Sequence, residues 1–329
     1  MYSERAGGSS IDYPLGGSRV LVDALVRAIE KFGGRVERRA RVARFLPTHD
    51  GTGVAGVILA GRPGERVGTV VARRGVVSNA SAWDTQDLLR ASSLAGPGGE
   101  RVLAPPQAAW AAERSATPMT GSFLHLHAGL RNDDGALDHL IRSKSIHALC
   151  VESWDRPLDD DRNVVNVSIP TALDPSAAPP GRFAAHVYTA ANESFTNWEG
   201  LEEGTPAYEA LKTERCGPLW RALAFATGLD EANVRSRAEV ALVASPLTHR
   251  RFLNRSRGTY GPAISAARGN GAWPGPKTPV KGLWQCGDSC QPGIGVPAAA
   301  GSGLMLANTA VGLGTHLVWL DELERLRAM

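Results

Sequence analysis

Gly282-Leu-Trp-Gln-Cys-Gly-Asp-Ser-Cys-Gln-Pro-Gly-Ile-Gly-Val-Pro-Ala-Ala-Ala-Gly-Ser-Gly303 is the stretch on which the reading of this chain turns. Leu283, Trp284 and Cys286 form a short apolar run bounded by glycines, the pattern of a buried strand. Gly287-Asp288-Ser289 turns the chain, and Pro292, Gly293 and Gly295 predict a loop whose backbone a ligand can approach closely. A helix follows, with Pro297 in its first turn and small residues on every side. Its open N-terminus offers free N–H groups and a positive pole. Asp288 stands ready to accept from ligand hydroxyls. Together these features suit a polar ring system carrying partial negative charge. The plainer alternative is a tight strand–helix crossover with no ligand. Gly293-Ile-Gly-Val-Pro-Ala298 also matches GxGxxA, but that fingerprint needs a βαβ unit with an acidic residue about 20 positions on. No further strand is expected after this helix.

Working outward, the 329 residues suffice for a large core and predict two lobes. Lys and Arg total 36 against 33 Asp and Glu, a net +3. That balance, without zinc-finger spacing or a basic helix with interleaved aromatics, argues against nucleic-acid binding. Four cysteines (Cys150, Cys216, Cys286, Cys290) predict buried thiols in a reducing compartment rather than a disulfide scaffold. Cys286 and Cys290 lack a second ligand pair for a metal. From Ser289 to Leu320 no charged side chain occurs. Pro292, Pro297, Asn308 and Gly312-Leu-Gly314 interrupt that run, so it reads as a helix packed inside a protein rather than a membrane span.

Toward the N-terminus, Tyr13-Pro-Leu-Gly-Gly17 leads into a helix over Ser18–Phe32. Val20, Leu21, Ala24, Leu25, Ala28, Ile29 and Phe32 recur there at helical spacing. Short strands are predicted over Arg35–Glu37, Val42–Leu46, Gly53–Leu59, Val67–Val71 and Val76–Ala80, with turns at Asp50-Gly51 and Gly61–Gly64. A Gly/Pro/Ala-rich loop, Ala95–Pro106, marks a boundary. Beyond it, alternating strands at Ser122–His127, Val164–Ile169, Phe183–Thr189 and Val240–Val243 and a helical Pro206–Thr227 predict a mostly antiparallel sheet with helices on one side.

Few residues suggest chemistry directly. His125 and His127 share one strand face, but no third metal ligand is evident, so a surface or core pair is the simpler reading. Asp159-Asp160-Asp161 reads as a solvated loop, and no nucleophile elbow is present. Thr248-His-Arg-Arg-Phe-Leu-Asn-Arg-Ser-Arg-Gly-Thr-Tyr-Gly-Pro262 is either a basic surface loop or a segment partly facing the junction of the lobes.

Several motifs carry a resemblance: Tyr13-Pro-Leu-Gly-Gly17, Val77-Ser-Asn-Ala-Ser-Ala-Trp-Asp-Thr85, Ser168-Ile-Pro-Thr-Ala-Leu-Asp174, Asn197-Trp-Glu-Gly-Leu201, Thr248-His-Arg-Arg-Phe-Leu253, Gly258-Thr-Tyr-Gly-Pro262, Cys286-Gly-Asp-Ser-Cys290 and Pro292-Gly-Ile-Gly-Val296. Over nearly its whole length the chain resembles the carotenoid cis–trans isomerases (prolycopene isomerases) of the flavin-containing amine oxidase/phytoene desaturase superfamily. The resemblance implies an α/β (α+β) fold, in which an incomplete FAD-binding Rossmann-like domain (1–96 and 271–329) is interleaved with a substrate lobe (97–270). Family members open with a GxGxxG segment well before the Tyr-Pro-x-Gly-Gly motif, so this chain is expected to correspond to their C-terminal part.

By the same resemblance, FAD in its reduced form would be held by Val42, Asn79, Ala80, Gly287, Asp288, Gly295, Val296 and Pro297, with Asp288 facing the ribityl chain. The implied activity is redox-neutral isomerisation of poly-cis carotenes such as prolycopene, with the chemistry residing in the cofactor. No acid or base is demanded; His249 and Arg250 are the candidate catalytic residues. A hydrocarbon substrate implies peripheral membrane contact, and the family implies a plastid location. Two other readings stand beside this one: an FAD-dependent desaturase or polyene saturase, and a non-catalytic fragment unable to hold FAD by itself.

Overall fold

The computed structural model describes residues 13–61, 66–92, 105–264 and 273–328. The fold is mixed α/β, and the chain divides into two compact units. One comprises Met1–Glu37 with Gly121–His249, the other Arg38–Thr120 with Arg250–Met329. These divisions differ from the boundaries at 96/97 and 270/271 expected from the sequence, both of which lie outside the described residues. The N-terminal segment groups with the first unit, where the Gly16 amide donates to Asp174 Oδ2 at 3.0 Å.

The first unit is built on a five-stranded antiparallel sheet. Its strands are β5 (His125–Arg131), β6 (His147–Val151), β7 (Val164–Ser168), β8 (Arg182–Thr189) and β9 (Ala238–Ala244), in the order β6-β7-β8-β5-β9. Side chains on a strand alternate between faces. Leu126, Ala128 and Leu130 of β5, Val165 and Val167 of β7, and Phe183, Ala185 and Val187 of β8 therefore line one buried face. Ile169 completes the β7 stripe, as its spacing with Val165 and Val167 predicts. Helix α6 (Gly217–Thr227) supplies Leu219, Leu223 and Trp220 to this core. The helix opens on Pro218, whose missing N–H costs nothing in a first turn, and closes on left-handed Gly228. That opening explains why the single helix expected over Pro206–Thr227 is two, the first being α5 (Pro206–Arg215).

A buried ion pair locks the rim of the core. The Glu193 carboxylate is fully buried and accepts from Arg215 Nε at 2.6 Å, Arg215 Nη2 at 2.9 Å and the Trp198 indole N–H at 2.7 Å. Arg215 Nη2 also reaches Asp161 Oδ1 at 2.6 Å. Asp161 is thus a structural partner, whereas Asp160 pairs at the surface with Arg156.

Helix α1 (Arg19–Lys31) forms where its periodicity predicts, yet none of its residues is buried. Leu21, Leu25 and Ile29 of its apolar stripe are exposed, so spacing located the helix without locating a core for it. The segment 35–37 is not a strand.

In the second unit, β1 (Val42–Pro47), β2 (Val54–Leu59) and β3 (Gly68–Val71) form an antiparallel sheet. A separate parallel pair joins β4 (Val76–Ser78) to β10 (Leu283–Gln285). Phe45, Val54, Leu89, Val280 and Leu283 make a compact core. The polar stretch after β4 is the start of a helix, α2 (Ala82–Ala91). Ser81 Oγ caps it by accepting from the Asp84 amide at 3.1 Å. Helix α3 (Pro105–Ser115) begins inside what the sequence marks as the end of a loop.

Two helices end the chain, α9 (Val296–Ala310) and α10 (Leu313–Ala328), broken at Val311-Gly312. The uncharged run is therefore interrupted, and no helix among the described residues is long and apolar enough to cross a membrane. Ser302 is the one buried residue of α9, so that helix is less enclosed than its composition predicts.

Candidate functional site

The second unit gathers its polar groups where β4 and β10 end. Parallel pairing points both strands the same way, so each delivers its following turn to the same edge of the sheet. The Cys286 amide extends the pairing by donating to the Ser78 carbonyl at 3.0 Å. Ser289 Oγ then accepts from the Ala82 amide at 3.0 Å, binding the β10 turn to the first turn of α2. Ser302 Oγ, in the second turn of α9, accepts from the Gly287 amide at 3.0 Å. Both hydroxyls are almost fully buried, and they fix the acidic turn between two helix beginnings.

Glycine is required at two points of this turn. Gly287 has φ of 103°, and a Cβ there would lie 2.3 Å from Asn79 Oδ1. Gly295 has φ of 102° and is the residue from which α9 starts. No side chain caps α9, and Val296 in its first turn is 71% exposed. The tip thus presents uncapped backbone N–H groups to its surroundings. A Cβ added at Gly301 would lie 3.3 Å from Pro292 Cγ, a tight contact.

The sequence-predicted residues divide accordingly. Asn79, Ala80, Gly287, Asp288, Gly295, Val296 and Pro297 lie on the two turns that follow β4 and β10 and on the first turn of α9. Val42 instead opens β1, in the other sheet of this unit.

Asp288 has a partner that the sequence did not single out. Arg255 Nη1 donates to Asp288 Oδ2 at 2.6 Å, and Arg255 Nη2 donates to the Tyr260 carbonyl at 2.9 Å. Arg255 Nε is buried with no hydrogen-bond partner. The segment carrying it is anchored rather than loose. Thr259 Oγ1 donates to the Thr120 carbonyl at 2.8 Å, and the Gly261 amide donates to Thr120 Oγ1 at 3.1 Å. The stretch read either as a basic surface loop or as a segment partly facing the junction starts within a helix, α8 (Pro246–Leu253), and continues as a pinned turn that aims one arginine at the acidic residue. Arg255 stands three residues ahead of Gly258-Thr-Tyr-Gly261, with Arg257 nearer to it, so position in the sequence did not single it out.

These residues suit a flavin on two counts: an uncapped helix tip, and an aspartate with one oxygen held by Arg255. The unpartnered Arg255 Nε adds a buried donor beside the same carboxylate.

In the first unit, His125 and His127 do share a face of β5, the one opposite the core. The strand register puts His127 directly across from His186 of β8. The rings stack, with centroids 4.5 Å apart for His127 and His186 and 4.9 Å for His125 and His186. His125 Nδ1 lies 2.7 Å from His186 Nε2. Burial, reinforced by the neighbouring imidazoles, pushes His125 down to about 2 and His186 down to about 4, and burial also lowers His127. His249, on α8, stacks on His125 at 4.8 Å and tilts against Phe123 at 5.9 Å. Arg250 is exposed.

The four cysteines are free. Burial pushes Cys216 and Cys290 up to about 12 and raises Cys150 and Cys286. They are thiols of the kind the sequence predicts, not activated nucleophiles.

No family model matches the chain. Among curated proteins it is 32% identical over 302 residues to a chloroplastic prolycopene isomerase of Arabidopsis thaliana, covering 91% of this chain and 45% of that protein. A chloroplastic prolycopene isomerase 2 from an Oncidium hybrid cultivar is 33% identical, with 91% and 46% covered. The chloroplastic prolycopene isomerase of Daucus carota is 30% identical, with 91% and 44% covered. The resemblance read from the motifs therefore holds across the chain, which spans a little under half the length of these relatives. Among solved structures, an oxidoreductase from Methanosarcina mazei superposes with a TM-score of 0.50 at 19% identity, covering 90% of this chain and 55% of that one. That likeness concerns the fold.

Proposed function

We propose that this chain carries the flavin-contacting and substrate-binding parts of an FAD-dependent carotene cis–trans isomerase, acting on poly-cis substrates of the prolycopene kind. The observation that carries the reading is the uncapped start of α9, in a helix whose Ser302 holds the turn that carries Asp288, in a chain similar over 302 residues to prolycopene isomerases. Asp288 Oδ1 would accept from the ribityl hydroxyls while Arg255 fixes the other oxygen. The amides at the start of α9, with Gly295 and Pro297 around them, would favour negative charge on the pyrimidine end of the ring. Asn79 and Ala80 would line the same edge, with Val42 on the adenosine side.

The chemistry a bound, reduced FAD supplies is transient electron donation to a conjugated double bond, redox-neutral over the cycle. The protein's share is to hold the polyene and keep water out. His249 and Arg250 are proposed at that position, His249 contributing through an aromatic surface with Phe123 and His125 rather than as an acid. The substrate's apolarity supports peripheral membrane contact, and the chloroplastic relatives support a plastid location.

The test is to incubate the chain with FAD under reducing conditions and with prolycopene, following all-trans-lycopene by chromatography and flavin binding by fluorescence quenching. Isomer conversion at unchanged mass is expected, with flavin affinity reduced in Asp288→Asn and Arg255→Ala. A product that has gained or lost hydrogen moves the assignment to a desaturase or saturase. A folded chain that neither quenches flavin nor turns over leaves the non-catalytic reading.

A further inference from the structure

On the non-core face of the first unit's sheet, His125, His127 and His186 each present one ring nitrogen, and these three atoms lie within 4.8 Å of one another. The placement follows from register: His127 and His186 are a direct cross-strand pair, and His125 sits two residues along the same face. The polar accounting of the cluster is incomplete. In the 2.7 Å contact between His125 Nδ1 and His186 Nε2, one nitrogen must donate. Whichever tautomer His125 adopts, its Nε2 is buried with no partner. It is an orphaned lone pair in one tautomer and an orphaned N–H in the other, and buried polar atoms are seldom left so. Among the described residues no carboxylate bonds to any of the three rings, so the usual way of holding a histidine cluster together is missing.

We propose that His125, His127 and His186 form a binding site for a nitrogen-preferring divalent transition metal ion, Zn2+ being the reference case, with an open fourth position. Three imidazoles without an oxygen donor select Zn2+, Co2+, Ni2+ or Cu2+ over Mg2+ and Ca2+, which take oxygen ligands. Tetrahedral zinc holds its nitrogens at about 2.0–2.1 Å, which sets them roughly 3.3 Å apart. The three donor nitrogens, within 4.8 Å of one another, must close toward that spacing. His127, the exposed member, has the side-chain freedom to do so. The ion would bridge adjacent strands β5 and β8, so binding should also stabilise the unit that contains them.

The experiment uses the untagged chain, stripped with EDTA and dialysed, then titrated with Zn2+ against a chromophoric chelator and separately with Co2+. A single equivalent of tight binding is expected, with the intense visible absorption of tetrahedral Co2+ and a rise in melting temperature. His127→Ala and His186→Ala should each weaken Zn2+ binding by roughly 100-fold or more, at least the effect of losing an outer-shell partner. His139→Ala, an exposed histidine on the helix Asp138–Ser143, should change nothing. Because His186 is half-buried, His127→Ala, whose circular dichroism should match the parent's, is the decisive variant. Binding well below one equivalent overturns the site, as does unchanged affinity in His127→Ala, or Mg2+ competing as well as Zn2+.

Discussion

The two units solve the problem of stability differently. The first buries one continuous apolar layer beneath a five-stranded sheet and fastens its rim with Glu193 and Arg215. The second has a small core around Phe45, Val54, Leu89, Val280 and Leu283, and much of its order comes from backbone amides satisfied by Ser81, Ser289 and Ser302. Its apolar helices remain open, with Leu304 69% and Leu313 72% exposed. The difference teaches where each unit can tolerate change. In the first, side-chain volume and charge pairing decide the outcome; in the second, backbone conformation does.

The sharpest test of that contrast is Glu193→Ala. It leaves the buried Arg215 guanidinium with Asp161 as its remaining acidic partner and the Trp198 indole without its acceptor, and should cost about 3–5 kcal/mol in urea unfolding, the range for breaking a buried pair. A loss under 1 kcal/mol would mean that water enters the rim and the layer is not sealed. Leu223→Ala beneath the same sheet should cost about 2–5 kcal/mol by cavity formation.

In the second unit, Gly287→Ala should cost about 1–3 kcal/mol. The residue sits at φ of 103°, and the added methyl would meet Asn79 Oδ1. Most of that loss should return when Asn79 is shortened to Ala, up to the part due to φ alone. No recovery in the double variant would locate the strain entirely in the backbone.

Thiol titration compares the two units directly, since each holds one deeply buried cysteine. Cys216 and Cys290 are acids whose folded pKa values lie near 12, above the ordinary value of 9. As pH rises past 9 the unfolded chain releases these protons and the folded chain does not, so folding is progressively disfavoured between 9 and about 12. Below that window both states carry the thiol and no pH dependence arises from them. Alkylation at pH 9 should accordingly be much slower in the native chain than in urea. Rapid native labelling of Cys290 alone would reveal that the second unit opens where the first does not. The smallest effect belongs to the surface. Arg156→Ala, which removes an exposed pair with Asp160, should change stability by less than about 1 kcal/mol.

Much of this architecture was legible in the chain itself. Alternation set the faces of β7 and β8, and the helical period placed α1 within a residue at either end. The Gly-Asp-Ser and Pro-Gly-Ile-Gly-Val elements announced the turn and the open helix tip, because positive φ and an uncapped start leave marks in residue type. Helices α2 and α8 were missed for a related reason. Each begins directly after a serine, Ser81 or Ser245, and mixes apolar with polar residues in a way that also suits a loop.

Other features depended on separations that no local pattern encodes. Arg255 reaches Asp288 across 33 positions of sequence, and Ser289 reaches Ala82 across 207. His186 joins His125 and His127 only because β8 pairs with β5 in one particular register. A shift of a single residue would have turned it to the opposite face. Residue type and spacing thus determined which elements form and which backbone positions must be glycine, since both follow from local sterics. Which side chains meet was decided by strand order and register, and those are set by the burial of whole faces at once.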